Sequence, residues 1–343
     1  PVHFTKLILL KVSTILEESI WQKCHDVGCI RQGNPLHSCK QDHVDAVTAS
    51  TLFALTLARL LPDDWTATGW LVRHVGSFEA LSSQPPEALR NHLSHRPEGI
   101  RLLAQLSNAA FLQKMQEQAK AELATLITKR IRVLTPHDDV WPAGLEALPE
   151  HQRPFLLFAY GNLELLAQPT VALLARPPIS ELAYDRAQDL TLHLIEAGCV
   201  PVTGALSGFD VALQKLCHNA PRPHPAVMVA HTGLAQLLPP MRPVAAATLR
   251  AGGLLLSPFL MELRPSDRRD RQRALVQAAL AQAAVFVEPR DETPEHMALD
   301  WAVQAHRPVF GISTRTMPEV HPIRESVDFE WVVEAARRTS PTG

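Results

Sequence analysis

Six short apolar runs between Thr170 and Thr314 constrain this chain more than any other feature. They read TVALLA at 170–175, CVPVT at 199–203, AVMVAH at 226–231, LLLS at 254–257, AVFVE at 284–288 and PVFGIS at 308–313. Runs this short, rich in Val and Leu and separated by helix-length segments, predict strands of a parallel sheet buried on both faces. The segments between them carry helical spacing. Leu190, Leu194 and Ala197 line one face of the first, and Gly198 stands where a left-handed residue ends a helix. Leu275, Ala278 and Ala279 repeat the pattern in a later one. Strands alternating with helices imply right-handed crossovers, a doubly wound sheet and a ligand crevice at the carboxyl ends of the strands. The polar loops just after each apolar run are therefore where function is expected.

Five stretches carry a resemblance to a known family. They are WPAGLEAL with PFLLFAYGN in 141–162, VALLA at 171–175, TGALSGFD at 203–210, GGLLLSPF at 252–259, and AALAQAAVFVEP at 278–289 followed by AVQAHRPVFGI at 302–312. In this order and spacing they resemble the DNA-processing protein A family, DprA or Smf, over roughly residues 50–315. The resemblance implies an α/β fold in which a Rossmann-like parallel sheet with helices on both faces follows a small all-helical domain of the SAM or helix-hairpin-helix kind. It also implies a domain that binds single-stranded DNA and hands it to a RecA-type recombinase.

The departures from the family pattern fall on the phosphate-approaching loops. Where the family has a Gly-Ser-Arg turn, this chain has Ala175 and Arg176, then Pro177 and Pro178, and proline supplies no N–H to an anion. In the next loop Gly204, Gly208 and Asp210 persist, while Ser207 replaces the family's arginine. The helix starting near Phe209 would still present its N-terminal amides to a phosphate. The family's Arg-Asn-Arg element aligns onto Arg273, Ala274 and Leu275, with Arg264, Arg268, Arg269 and Arg271 just upstream. A later Ser-Gly-Thr/Ser turn falls on Thr293 and Pro294. The expected phosphate contacts are Arg176, the backbone at Gly204, Ser207 and Gly208, and Arg268, Arg269, Arg271 and Arg273. Two readings of the arginine run stay open: a groove for a polyanion, or a solvated helix approach neutralised by Asp267 and Asp270.

Whole-chain charge does not decide between them, because a formal net charge of −2 over 343 residues lacks a global basic signature and leaves DNA binding to a local cluster. At 6% aromatic residues, extensive base stacking is disfavoured. With 46% hydrophobic residues the chain can bury a large core and divides into an extension at 1–45, a helical domain at 46–130, the Rossmann domain at 131–315 and a tail at 316–343. In the helical domain the family's Gly-x-Gly turn is replaced by LPDDWTATG at 61–69, which favours packing or dimerisation over DNA contact. The extension holds Cys24, Cys29 and Cys39 with His25, His37 and His43. These are enough ligands for one zinc, but a loose first gap and no second tight pair leave a Cys/His-rich arm as the alternative. Cys199 and Cys217 read as buried reduced thiols. No apolar run approaches the length of a bilayer span, and FTKLILLKVSTILEESIW at 4–21 does not read as a secretory signal, so a cytoplasmic setting is expected.

No enzyme constellation emerges: His231 and Glu288 end strands without an evident nucleophile, acid partner or metal set. The expectation is a binding protein without cofactor or metal, partnered by single-stranded DNA, a RecA-type recombinase and a second copy of itself, with no membrane association. The alternative is a nucleotide-ligand sensor or scaffold subunit of a multi-protein system such as phage defence.

Overall fold

A computed structural model describes residues 37–206, 208–315 and 317–338, with side chains from residue 49 onward. The chain divides into two units, 1–45 and 46–343. Cys24, Cys29 and His25 lie outside the described residues, as do the side chains of His37, Cys39 and His43. Among the described residues no helix is long and apolar enough to cross a membrane.

The second unit is organised by a nine-stranded sheet in the order β1-β2-β6-β5-β4-β3-β7-β8-β9. Its strands are β1 (Ile131–Leu134), β2 (Leu157–Gly161), β3 (Thr170–Ala175), β4 (Val200–Gly204), β5 (Val227–Val229), β6 (Leu254–Ser257), β7 (Ala283–Val287), β8 (Val309–Ile312) and β9 (His321–Pro322). All six apolar runs are strands, within a residue or two of the expected bounds. From β6 through β9 every neighbouring pair is parallel. The six runs make the parallel sheet expected of them, and β1 and β2 extend it antiparallel beyond β6. The chain winds outward from β3 through β4 and β5 to β6, then crosses back to β7 and β8. The direction reverses between β3 and β7, which puts the crevice of a doubly wound sheet at their carboxyl ends.

Helices cover both faces, as the sequence predicts, and strand alternation assigns the residues. Val171, Leu173 and Ala175 of β3 join α7 (Glu181–Glu196), α8 (Gly208–Asn219) and α12 (Phe329–Arg338). Ala172 and Leu174 face α10 (Asp267–Leu280) and α11 (Pro294–Gln304). Between α8 and α10, α9 (Met241–Arg250) covers β5 and β6. Such two-faced burial is why these strands are apolar runs without a polar alternate. Gly198, at φ +73, ends α7 in the left-handed conformation expected of it.

Among the described residues six helices precede the sheet: α1 (His37–Leu60), α2 (Ala67–His74), α3 (Phe78–Ser82), α4 (Pro86–Leu93), α5 (Gly99–Ser107) and α6 (Ala109–Thr128). Their apolar faces share one continuous core with α10, α11 and the sheet. The turn at 61–69 packs inward. Trp65 stacks on Phe259 at 5.7 Å, and the Asp64 carboxylate accepts the amides of Thr66, Ala67 and Thr68, fixing the start of α2. Residues 317–338 carry β9 and α12, with Phe329, Val332 and Val333 buried against the sheet. Cys199 and Cys217 are buried free thiols, and burial pushes Cys217 up to about 12.

Candidate nucleic-acid interface

At the carboxyl ends of β3 and β7 two arginines meet two acids. Arg176, the residue after β3, donates from Nε to Glu295 Oε2 at 2.8 Å and from Nη2 to Asp270. Arg273, on the second turn of α10, donates from Nη2 to Asp270 Oδ1 and Glu295 Oε1, both at 2.7 Å, and from Nη1 to Gln277 Oε1 at 2.7 Å. Gln277 donates in turn to the carbonyls of Leu173 and Val202, at 2.9 and 3.1 Å. The network thus ties α10 and α11 to the two central strands. The side chains of Arg273 and Glu295 are 2% and 1% exposed, whereas Arg176 keeps 31%.

The electrostatics follow from this pairing. Burial alone would make Arg273 easier to deprotonate, but Glu295, Asp270 and Asp210 outweigh it and hold the guanidinium charged. Burial likewise pushes the Asp270 carboxyl up, and Arg273 and Arg176 more than reverse this, keeping it below the usual carboxylate range. His231, just past β5 and buried, falls to about 4 through burial, with Arg273 and Arg176 acting the same way against Asp270. Its ring is therefore neutral at physiological pH, and its Nδ1 has no hydrogen-bond partner.

Both loop amide sets that could have held a phosphate are already occupied by carboxylates. Asp210 accepts the amides of Gly204 at 3.2 Å and Leu206 at 2.9 Å. A Cβ on Gly204 would lie 3.0 Å from Asp210 Oδ2 and 3.3 Å from Arg273 Nη1, so glycine here serves a close internal approach. Glu288, at φ 43, accepts the Ser180 amide at 2.7 Å and the Ser180 hydroxyl at 2.6 Å. Ser180 is the N-cap of α7, so an internal anion already complements that helix start.

These contacts set the surroundings of the expected site residues. Arg273 offers no surface to a strand, because its side chain is enclosed by two acids and Gln277. The Gly204 amide points to Asp210. Ser207 lies outside the described residues, and Gly208 opens α8 with free space around it. Arg269 donates to Asp63 Oδ1 at 2.7 Å and to the Arg264 carbonyl at 2.8 Å, and Arg268 donates to the Asp63 carbonyl. Arg264, Arg268 and Arg271 are exposed; among the described residues the Arg271 side chain makes no ion pair. The structure therefore brings Arg176 and Arg273 together as internally compensated groups, and gathers Arg264, Arg268 and Arg271 as outward charge beside the Asp63 loop.

Sequence reasoning missed Glu295, Gln277 and Arg290. Arg290 donates to the carbonyls of Arg176 at 3.2 Å and Pro177 at 2.9 Å, bracing the first loop. Glu295 had a legible signal, since Thr293 caps α11 and Pro294 takes its first position, a start signature that favours an acid in the first turn. No local pattern marks Gln277, which acts across 104 and 75 residues of sequence.

Comparisons with known proteins agree with this architecture. The family model of DNA recombination-mediator protein A matches residues 132–321. The DNA processing protein DprA of two Mycobacterium tuberculosis strains is 27% identical over 229 residues, covering 64% of this chain. The chain spans 55% of the length of those relatives. The crystal structure of DNA processing protein A from Streptococcus pneumoniae superposes with a TM-score of 0.56 at 18% identity, covering 84% of this chain and 96% of that one, a likeness of fold. With a model match over more than half its residues, on the sheet and helices described above, the chain belongs to the DNA recombination-mediator protein A family.

Proposed function

We propose that this protein binds single-stranded DNA through its phosphates at the carboxyl edge of the sheet, in the DNA-processing role of its family. The carrying observation is the outward cluster of Arg264, Arg268 and Arg271 where α10 begins. The Asp63–Arg269 ion pair at 2.7 Å braces it beside the crevice. Arg176 adds a partly exposed guanidinium to the same edge. A backbone-reading site needs such charge and few base contacts, which accords with a low aromatic content. The buried Arg273, Asp270, Glu295 and Gln277 shape the edge from beneath. The paired groups satisfy one another, which suits a binding edge. A second copy of the chain would lengthen the path and raise affinity by effective concentration, and a RecA-type recombinase is the partner to which the strand would pass.

A second reading, a scaffold subunit or a nucleotide sensor, finds support for its scaffold form in one observation: Glu288 and Asp210 already occupy the amides that would hold a nucleotide's phosphates, so a sensor would have to take its nucleotide elsewhere on this edge. Fluorescence anisotropy with labelled oligo-dT separates the two. Arg268→Glu with Arg271→Glu should weaken oligonucleotide binding in the DNA reading. Unchanged affinity removes that cluster from the interface, and stabilisation by a mononucleotide alone favours the sensor.

A further inference from the structure

Past β8 the chain turns over the same carboxyl edge through Ser313, Thr314 and Arg315 before returning as β9. With Met317 and Arg324, this turn lines a small open pocket of about 90 Å³. Its lining carries two guanidinium groups and two hydroxyls over apolar side chains, with no carboxylate among them. Arg315 and Arg324 are both exposed, and among the described residues neither side chain makes a hydrogen bond or ion pair. Asp328 is near enough for Arg324 and Arg186 to help hold its carboxyl low, behind the larger effect of the Glu325 and Arg324 amides. Those amides reach its Oδ2 at 3.0 and 2.7 Å. Glu325 is engaged in a reciprocal cap with Asp328, and Ser313 Oγ accepts the Arg315 amide at 3.0 Å, fixing the turn.

The contrast with the crevice is what carries the inference. At β3 and β7 two arginines are matched by two buried acids; at β8 the lining of the hollow holds two arginines and no carboxylate, and Asp328, the acid that interacts with Arg324, is already held by the Glu325 and Arg324 amides. Two arginines lining one small hollow suit a phosphoryl group, which accepts paired N–H bonds. We propose that this pocket is a phosphate site. It rests on the DNA reading for its natural ligand: β8 lies two strands from β3, roughly 10 Å at ordinary strand spacing, so a strand held at Arg176 would continue into it. A free nucleotide offers the same phosphoryl chemistry.

The test uses the full chain and the variant Arg315→Ala with Arg324→Ala, whose exposed side chains leave the core untouched; an unchanged urea midpoint verifies this. Oligo-dT binding is measured across salt, and dTMP and inorganic phosphate are titrated by calorimetry. Losing one strand phosphate should make the slope of log K against log salt shallower by about 0.7. Loss of dTMP or phosphate binding with an unaltered oligonucleotide slope keeps the pocket and assigns it to a free nucleotide, even if the strand reading fails. Unaltered behaviour toward all three ligands overturns the pocket, and leaves the Arg268 and Arg271 cluster to stand or fall on its own variants.

Discussion

Arg273→Met tests the claim that this arginine is internal architecture. The guanidinium meets Asp270, Glu295 and Gln277, each at 2.7 Å, and is 2% exposed. Methionine keeps most of the apolar stem volume and deletes the charge, leaving the 1% exposed Glu295 with Arg176 alone. Removing one partner of a buried ion pair costs about 3–5 kcal/mol, mostly because the remaining charge stays desolvated. Arg176 still touches both acids, so the expected loss is about 3 kcal/mol, a large share of the ~5–15 kcal/mol that holds a typical domain. Urea unfolding should show a lower midpoint at an unchanged slope. Adding Glu295→Met should recover much of the loss by removing the stranded charge, since apolar replacement of a whole buried pair is often neutral. A loss below about 1 kcal/mol refutes the reasoning. So does full stability with collapsed oligonucleotide affinity, which would place Arg273 on the DNA.

Further tests follow from the same edge. His231 titrates near 4 in the folded protein and near 6.5 unfolded. Its contribution is therefore whole above pH 6.5 and is lost as pH falls toward 4, in total about 3 kcal/mol. His231→Gln should flatten this part of the urea-midpoint profile between pH 7 and 4.5, and parallel profiles would contradict the assignment. Glu288→Ala frees the Ser180 amide and hydroxyl and should lower stability by about 1–2 kcal/mol. Thermal melts of that variant should also shift more with inorganic phosphate than those of the parent protein; equal shifts would show that Glu288 does not fill the anion position.

What could be read from sequence tracks how local each cause is. The six strands were legible because burial on both faces leaves no polar alternate, and Gly198 because helix ends demand a left-handed residue. The antiparallel β1 and β2 were not, since IRVL and LFAYG are too short to declare their pairing partners. The switch point of the sheet was legible as a topological consequence, and Arg176 and Arg273 do converge on it. Their compensation was not legible, because Glu295 lies 119 and 22 residues away from them. The sequence separates charged from uncharged positions, whereas only the fold separates an arginine that is matched from one that faces solvent. Arg315 marks the same limit: it follows the last apolar run, where function is expected, yet its availability depends on which acids surround it.

The most direct test of the account is the salt dependence of oligo-dT affinity for the full chain beside Arg268→Glu with Arg271→Glu. The account predicts binding that falls steeply with salt in the parent, and a slope shallower by about 1.4 in the variant as two phosphate contacts disappear. Binding that ignores salt, or a variant with the parent's affinity and slope, would contradict phosphate recognition at this edge.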